Sequence, residues 1–290
     1  MSDPVSPPPL QEGGWRAAMR KWGAMSRFER WRPTARFLAQ TESHVFALSI
    51  AASVLLSFFP FLIVMGSICR YTLHWPAAVD AINLALMDYF PYEVGDFLAR
   101  NLSAAIYTSG PTQIVSVLLL LFTANGVFEP LEVALNRVWG VQENRSYLKN
   151  QILSLGLIFF CGALVMISLL LTAKNQELAR NVMHLRDLPP WVTVILFKVG
   201  ALPMTILALF VCYWILPNRR VPALPLIPVA IYVGLMLELL KYLFMLLGPW
   251  LMVKLHREYG PFQNSAAILL LSFLSAMVVL AGAEWSARRS

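Results

Sequence analysis

The feature that most constrains this chain is a long apolar stretch, residues 114–141, that acquires polar side chains before it ends. Its polar positions are separated by four, three and four residues, so they share one helical face: Asn125, Glu129, Glu132 and Asn136. A charge at mid-bilayer depth costs roughly 2.5–3.5 kcal/mol per group, so such groups usually face protein or a water-filled cavity. The stretch therefore predicts a membrane helix with a polar face.

Composition extends this prediction to the whole chain. Hydrophobic residues make up 58% of the 290 residues and charged residues 13%, whereas soluble domains have about 45–50% and about 25%. Each membrane span needs about 20 mostly apolar residues. We therefore predict an all-α polytopic membrane protein, a bundle of six transmembrane helices at about 44–69, 114–135, 151–173, 191–216, 224–247 and 265–285.

The segments outside the spans differ in character. Residues 1–12 are proline-rich and are predicted to be a disordered tail, while residues 13–40 interleave tryptophan and phenylalanine with arginine and lysine. We predict that this second segment is an interfacial amphipathic helix, broken near Pro33. Between residues 70 and 111 we expect two short amphipathic helices, split at Pro91, that form an external cap on the six-span domain of residues 41–290.

The distribution of cations predicts the topology. Fourteen of the 23 lysines and arginines lie on the side of the N-terminus and seven on the other side, with Lys198 and Lys241 inside spans. The positive-inside rule therefore places both termini in the cytoplasm. The net charge of +7 is explained by this topology and by anionic lipid, so no nucleic-acid partner is predicted.

Motifs for catalysis are missing from the sequence. Four scattered histidines form no HExxH, and there is no GxSxG or Walker A sequence. Three cysteines without CxxC spacing, Cys69, Cys161 and Cys212, are interpreted as packing residues. We therefore expect no enzyme activity, no metal and no cofactor.

At the end of the opening stretch the sequence resembles the YihY/BrkB family of bacterial inner-membrane proteins. The matching positions are Glu129, Pro130, Leu131, Glu132, Ala134, Asn136, Arg137 and Trp139. Further matching stretches are SFFPFLIV at 57–64, LPNRRV at 216–221, EYGPF at 258–262 and AGAEWSA at 281–287. The resemblance implies six transmembrane helices in the bacterial cytoplasmic membrane, and it carries over no catalytic residue.

Two sets of charged residues are candidates for function. Asn125, Glu129, Glu132, Asn136 and Arg137 form either a polar substrate path or a buried network that locks helices, with Arg137 paired to Glu132 or to a lipid phosphate. Inside other spans, Glu238 and Lys241 can pair locally, or Lys241 or Lys198 can meet Glu129 or Glu132 across the bundle, although snorkelling is a rival explanation for Lys198.

At the cytoplasmic face, Arg145, Arg219 and Arg220 are candidates, together with Arg137, for binding an anionic headgroup. These residues favour a transporter or translocator of an envelope lipid or another amphipathic anion, with anionic membrane lipids as partners. The alternative is a non-catalytic membrane scaffold or envelope assembly and resistance factor whose outer cap binds a protein, and the least favoured is a membrane hydrolase or ribonuclease. The sequence leaves open the substrate, the direction, a coupling ion and any homo-oligomer.

Overall fold

The computed structural model describes residues 27–89, 93–107, 111–141, 145–181 and 190–289, and all regular structure within these ranges is helical. The helices are α1 Arg27–Leu38, α2 Thr41–Ser67, α3 Pro76–Tyr89, α4 Glu93–Tyr107, α5 Pro111–Val138, α6 Tyr147–Asn181, α7 Pro190–Ile215, α8 Ala223–Tyr259 and α9 Gln263–Arg289. A π-helical turn, Ile68–Thr72, extends α2, and a 3-10 turn, Gly260–Phe262, joins α8 to α9. The predicted tail at 1–12 and the first half of the basic segment lie outside the described residues.

Each of the six predicted spans coincides with one helix, α2 or one of α5 to α9. Within the described ranges, two stretches are long and apolar enough to cross a membrane by length and composition, Thr41–Thr72 and Ala223–Arg288, and the second of them holds both α8 and α9. The surface of α8 exposes a stripe of large apolar side chains: Leu224, Ile231, Leu235, Leu246, Trp250 and Val253. Contiguous apolar surface of this extent suits contact with lipid better than contact with water.

Two predictions about helix boundaries are wrong, and one helix is longer than the span predicted within it. Helix α6 continues through residues 174–181, which we expected to be a loop, because this segment is rich in good helix formers. Helix α8 contains the predicted span 224–247, continues to Tyr259 and is about 55 Å long at 1.5 Å per residue. Pro33 lies inside α1 and does not break it, since buried Thr34 and partly buried Phe37 attach this helix to the bundle.

The bundle has two distinct ends. The polar end, as we call it, holds α1, the described connector residues 139–141 and 145–146 after α5, the turn 216–222 after α7 and the C-terminus of α9. The cap end holds the π-helical turn with α3 and α4. Because successive helices run back and forth between these ends, residues from distant parts of the sequence meet at the polar end.

The larger core cluster fills the half of the bundle next to the polar end. Leu135, Tyr213, Leu226 and Leu280 are fully buried there, at 0% exposure. The hydroxyl of Tyr213 donates a hydrogen bond to the carbonyl of Val279 at 2.8 Å, so the aromatic side chain ties α7 to α9. A buried tyrosine is usually hydrogen-bonded in this way, and the bond fixes how the two helices face each other.

The second core cluster packs the cap onto the rest of the helical bundle. Val79, Ile82, Leu86 and Leu98 are buried against the ends of α2, α6 and α9, which confirms the two amphipathic helices. Phe97, beside buried Leu98 on α4, is exposed. The predicted break at Pro91 lies outside the described residues.

Small residues of α9 allow close packing within the chain. Ala276, Gly282 and Ala283 are buried, and a methyl group on Gly282 would meet the side chain of Val233 and lie 2.6 Å from the Tyr213 hydroxyl oxygen. Glycine is therefore required where α7 and α8 approach α9.

We expect Gly282→Ala to lower the free energy of unfolding by about 1–3 kcal/mol, because the added methyl group overpacks this contact. Gly156→Ala is the matched control, since nothing lies within 4 Å of a methyl group added there. Thermal unfolding in detergent compares the two variants with the wild type. Equal midpoints for both variants would contradict the close approach at Gly282.

Candidate functional site

The last turns of α5 direct two polar side chains into the bundle. Glu132 and Asn136, one helical turn apart, are each only 2% exposed. The Asn136 amide nitrogen donates to Glu132 Oε1 at 3.5 Å, and its amide oxygen accepts from the backbone N–H of Asn218 at 2.8 Å. The asparagine thus connects α5 to the turn after α7, 82 residues later in the sequence.

Arg145, in the connector after α5, caps the C-terminus of α7. Its Nη1 donates to the carbonyl of Leu216 at 2.7 Å, and its Nη2 donates to the carbonyls of Ile215 and Pro217 at 3.0 and 3.1 Å. Carbonyls at a helix C-terminus lack helical hydrogen-bond partners and carry the negative end of the helix dipole. A guanidinium donates the missing hydrogen bonds and places a positive charge beside that negative end. The same group lies 3.6 Å from Glu132 Oε1 and is its ion-pair partner.

Two buried polar atoms of this cluster remain unsatisfied by the residues that the structure describes. Glu132 Oε2 accepts no hydrogen bond and Trp139 Nε1 donates none to this part of the chain. Buried polar groups are nearly always paired, and each exception needs an explanation. The described residues therefore satisfy the hydrogen bonding of this cluster only in part.

An open pocket of about 680 Å³ lies in front of Arg145. Its lining combines basic and apolar side chains: Arg145, Trp214, Ile215, Pro217, Asn218, Arg219, Arg220 and Val221. Arg219 is positioned by a hydrogen bond from Nη1 to the carbonyl of Trp139 at 3.1 Å. The described lining residues include three arginines and no carboxylate, so the pocket is suited to an anion.

The structure brings together three of the four predicted headgroup-binding arginines. Arg137 is the exception, because it points away from the cluster with 56% of its side chain exposed and pairs with Glu42 of α2. Its predicted pairing with Glu132 is therefore wrong, since Arg145 occupies that position. Through this pair Glu42 joins the start of α2 to the end of α5.

The other predicted polar residues are placed as follows. Glu129 lies on α5 but is exposed, so it does not join the buried pair one turn later. Lys241 Nζ lies 3.5 Å from Glu238 Oε2 on α8, which is the local pairing that the spacing allowed. Asn125 lies on α5 and Lys198 on α7, and their side chains are outside the described residues. The ion pair of Glu132 with Arg145 thus differs from the predicted cross-bundle pair with a lysine.

A second polar cluster at the same end was missed by our reasoning from sequence. Glu284 and Arg288, four residues apart on α9, pair with Nε to Oε1 at 2.6 Å and Nη2 to Oε2 at 2.8 Å. The hydroxyl of buried Thr34 donates to Glu284 Oε2 at 2.7 Å and accepts from Arg288 Nη2. The Glu–Arg spacing was a usable signal for the pair, but no local pattern indicated that α1 docks on it.

Among the described residues, no group of three or more histidine, cysteine, aspartate or glutamate side chains is placed to hold a metal ion.

These features define an all-helical protein with lipid-suited surfaces and a basic pocket at one end. The model of the virulence factor BrkB family matches residues 35–290. The chain therefore belongs to this family, which confirms the resemblance to YihY/BrkB proteins, and it is a membrane protein like its relatives.

Three relatives illustrate the range of similarity. A UPF0761 membrane protein of Acinetobacter baylyi is 30% identical over 232 residues, which cover 78% of this chain and 52% of the relative. A UPF0761 membrane protein of Chromobacterium violaceum is 27% identical over 297 residues, covering 98% and 68%. YfkH of Bacillus subtilis, a protein named as ribonuclease-like, is 22% identical over 245 residues, covering 82% and 86%.

The chain thus spans about half the length of the first relative and about two thirds of the second. No solved structure matches it.

Replacing Arg145 by methionine is expected to destabilise the protein by about 3–5 kcal/mol, because it leaves Glu132 buried without its counter-ion. Adding Glu132→Gln to Arg145→Met should restore part of the loss. Arg220→Met is the control, since Arg220 is exposed, and should change stability by less than about 0.5 kcal/mol. Chemical unfolding in detergent measures all four proteins, and similar values for Arg145→Met and Arg220→Met would contradict the role assigned to Arg145.

Thr34→Val is expected to loosen α1, because valine keeps the shape of threonine but cannot bridge Glu284 and Arg288. We expect faster hydrogen exchange across α1 by about tenfold, corresponding to loss of about 1.4 kcal/mol of local stability. Thr41→Val, at an exposed position on α2, should leave exchange in α1 unchanged. Unaltered exchange in Thr34→Val would show that the helix is held by other contacts.

Proposed function

We propose that this chain is a non-enzymatic translocator of an envelope lipid or another amphipathic anion in the bacterial cytoplasmic membrane. It crosses the membrane six times, through α2 and α5 to α9, with both termini and the polar end in the cytoplasm. The pocket of Arg145, Arg219 and Arg220 binds the anionic headgroup on the cytoplasmic side.

The observation that carries this proposal is the mixed lining of the pocket. Arg145 and the pair Arg219 and Arg220 are far apart in sequence, yet they surround one opening. Arginine presents fixed donors that match phosphate oxygens, and each cation near the headgroup region contributes about 1 kcal/mol to binding of anionic lipid. Trp214 and Val221 add apolar surface to the same pocket, which favours an amphipathic ligand over a small inorganic ion.

The outer surface of α5 supports the proposal that the headgroup site is connected to the surrounding lipid. Apolar side chains are exposed along α5, including Ile114, Val115 and Leu118. Glu129 is exposed on the same helix, about 14 Å from its C-terminal end by the helical rise. An exposed carboxylate at such a depth requires water or polar headgroups beside it, so this part of α5 is the candidate continuation of the polar route.

The proposal is tested by native mass spectrometry of protein extracted with mild detergent from a membrane of mixed lipids. We expect the wild type to retain anionic phospholipid selectively. Removing two cations from the headgroup site in Arg219→Ala/Arg220→Ala should weaken retention by about 2 kcal/mol, or about thirtyfold.

The control is Arg100→Ala/Arg257→Ala, which removes two exposed arginines from the cap end. It should retain lipid like the wild type. The double variant also removes the hydrogen bond from Arg219 to the carbonyl of Trp139. The single variant Arg220→Ala keeps that bond and is therefore measured beside it. Unselective lipid retention by the wild type, or equal retention by the pocket and control variants, would overturn the proposal.

A further inference from the structure

Arg145 separates a buried carboxylate from an open pocket. On one side its Nη1 lies 3.6 Å from Glu132 Oε1, and on the other side it lines the pocket with 20% of its side chain exposed. Its hydrogen bonds to three carbonyls hold the guanidinium in this position. The same positive charge therefore acts on both Glu132 and any anion in the pocket.

Glu132 depends on that charge. Its contacts with the Asn136 amide and the Arg145 guanidinium, at 3.5 and 3.6 Å, are long. The backbone N–H of Arg145 adds a hydrogen bond to the carboxylate, and Oε2 accepts none from the described residues. A buried carboxylate with one oxygen unpaired is costly unless a counter-ion or a proton compensates its charge. A second anion beside Arg145 would offset the field that keeps Glu132 ionised.

We infer that binding of a phosphate-bearing headgroup in the pocket is coupled to the uptake of one proton by Glu132. This inference rests on the proposed headgroup site and adds a coupling ion to it. The anion adds one negative charge on the pocket side of Arg145. The proton removes the negative charge of Glu132 on the buried side. The net charge around Arg145 is thus the same before and after binding.

The other charged groups near Glu132 are few in the described part of the chain. Glu129, one turn earlier on α5, adds a repulsive negative charge. The remaining elements at the polar end contribute charged groups that already have partners or stand in solvent: Glu42 of α2 with Arg137, Glu284 and Arg288 of α9 with each other, and the exposed residues His44 of α2, Lys149 of α6, Arg32 and Arg36 of α1, and Arg219 and Arg220 of the pocket. Arg145 is therefore the main counter-charge of Glu132.

The coupling has a defined sign. At high pH Glu132 is ionised and shares Arg145 with the incoming anion, so the anion binds weakly. As pH falls Glu132 becomes neutral, the charge of Arg145 is available to the anion, and binding tightens. One linked proton allows at most a tenfold change in affinity per pH unit.

The test uses dihexanoylphosphatidylglycerol, a soluble lipid whose phosphodiester keeps one negative charge between pH 5 and 8, with the full-length protein in an uncharged detergent. Titration calorimetry in two buffers of different ionisation enthalpy gives the number of protons taken up on binding. We expect uptake approaching one proton in the wild type and none in Glu132→Gln, whose affinity should be independent of pH.

Two control variants test whether Glu132 is the group that takes up the proton. Glu42→Gln makes the same substitution at an exposed position of the polar end, and His44→Asn removes the histidine at that end; both should take up protons like the wild type. Saturable binding by the wild type without proton uptake, or uptake that persists in Glu132→Gln, would overturn the coupling and leave the headgroup site intact. Absence of saturable binding would overturn the headgroup site itself, and the coupling with it.

Discussion

The polar end of this protein depends on one guanidinium that serves two negative groups. Arg145 satisfies the terminal carbonyls of α7 and compensates Glu132, which α5 carries into the bundle. Neither group could be buried in a membrane protein without such a partner, because lipid offers no hydrogen bonds to replace water. The connector, the end of α7 and the polar half of α5 therefore form one unit, and the basic pocket opens on its surface.

This arrangement reconciles two interpretations of the polar face on α5. Asn136 and the Oε1 atom of Glu132 hold helices together, as expected for a structural network. The second oxygen of Glu132 is without a donor in the described residues, and the arginine beside it faces the pocket. A buried network in which one oxygen of Glu132 has partners and the other has none among the described residues can hold the fold and still respond to a ligand.

Much of the fold could be predicted from the sequence, because hydrophobic runs and helical spacing are local signals. The six apolar runs and the two cap helices were located in this way, and the local Glu238–Lys241 pair was among the alternatives. Two local errors, the loop expected at 174–181 and the break expected near Pro33, concern helix boundaries. The errors at the polar end are contacts of long range: Arg137 pairs with Glu42 and not with Glu132, and Thr34 docks on a pair 250 residues away. Spacing along one helix shows which face a side chain is on, but it does not show which other helix covers that face.

The central claim is that the arginine pocket admits an anionic lipid to a path across the membrane. The most direct measurement is the transbilayer movement of fluorescently labelled phosphatidylglycerol in proteoliposomes, followed by quenching of the outer leaflet with a membrane-impermeant reductant. We predict that the wild type accelerates this movement and that Arg219→Ala/Arg220→Ala does not, while Arg100→Ala/Arg257→Ala behaves like the wild type. Movement in wild-type vesicles at the rate of protein-free vesicles, or an equal rate in both double variants, would contradict the claim.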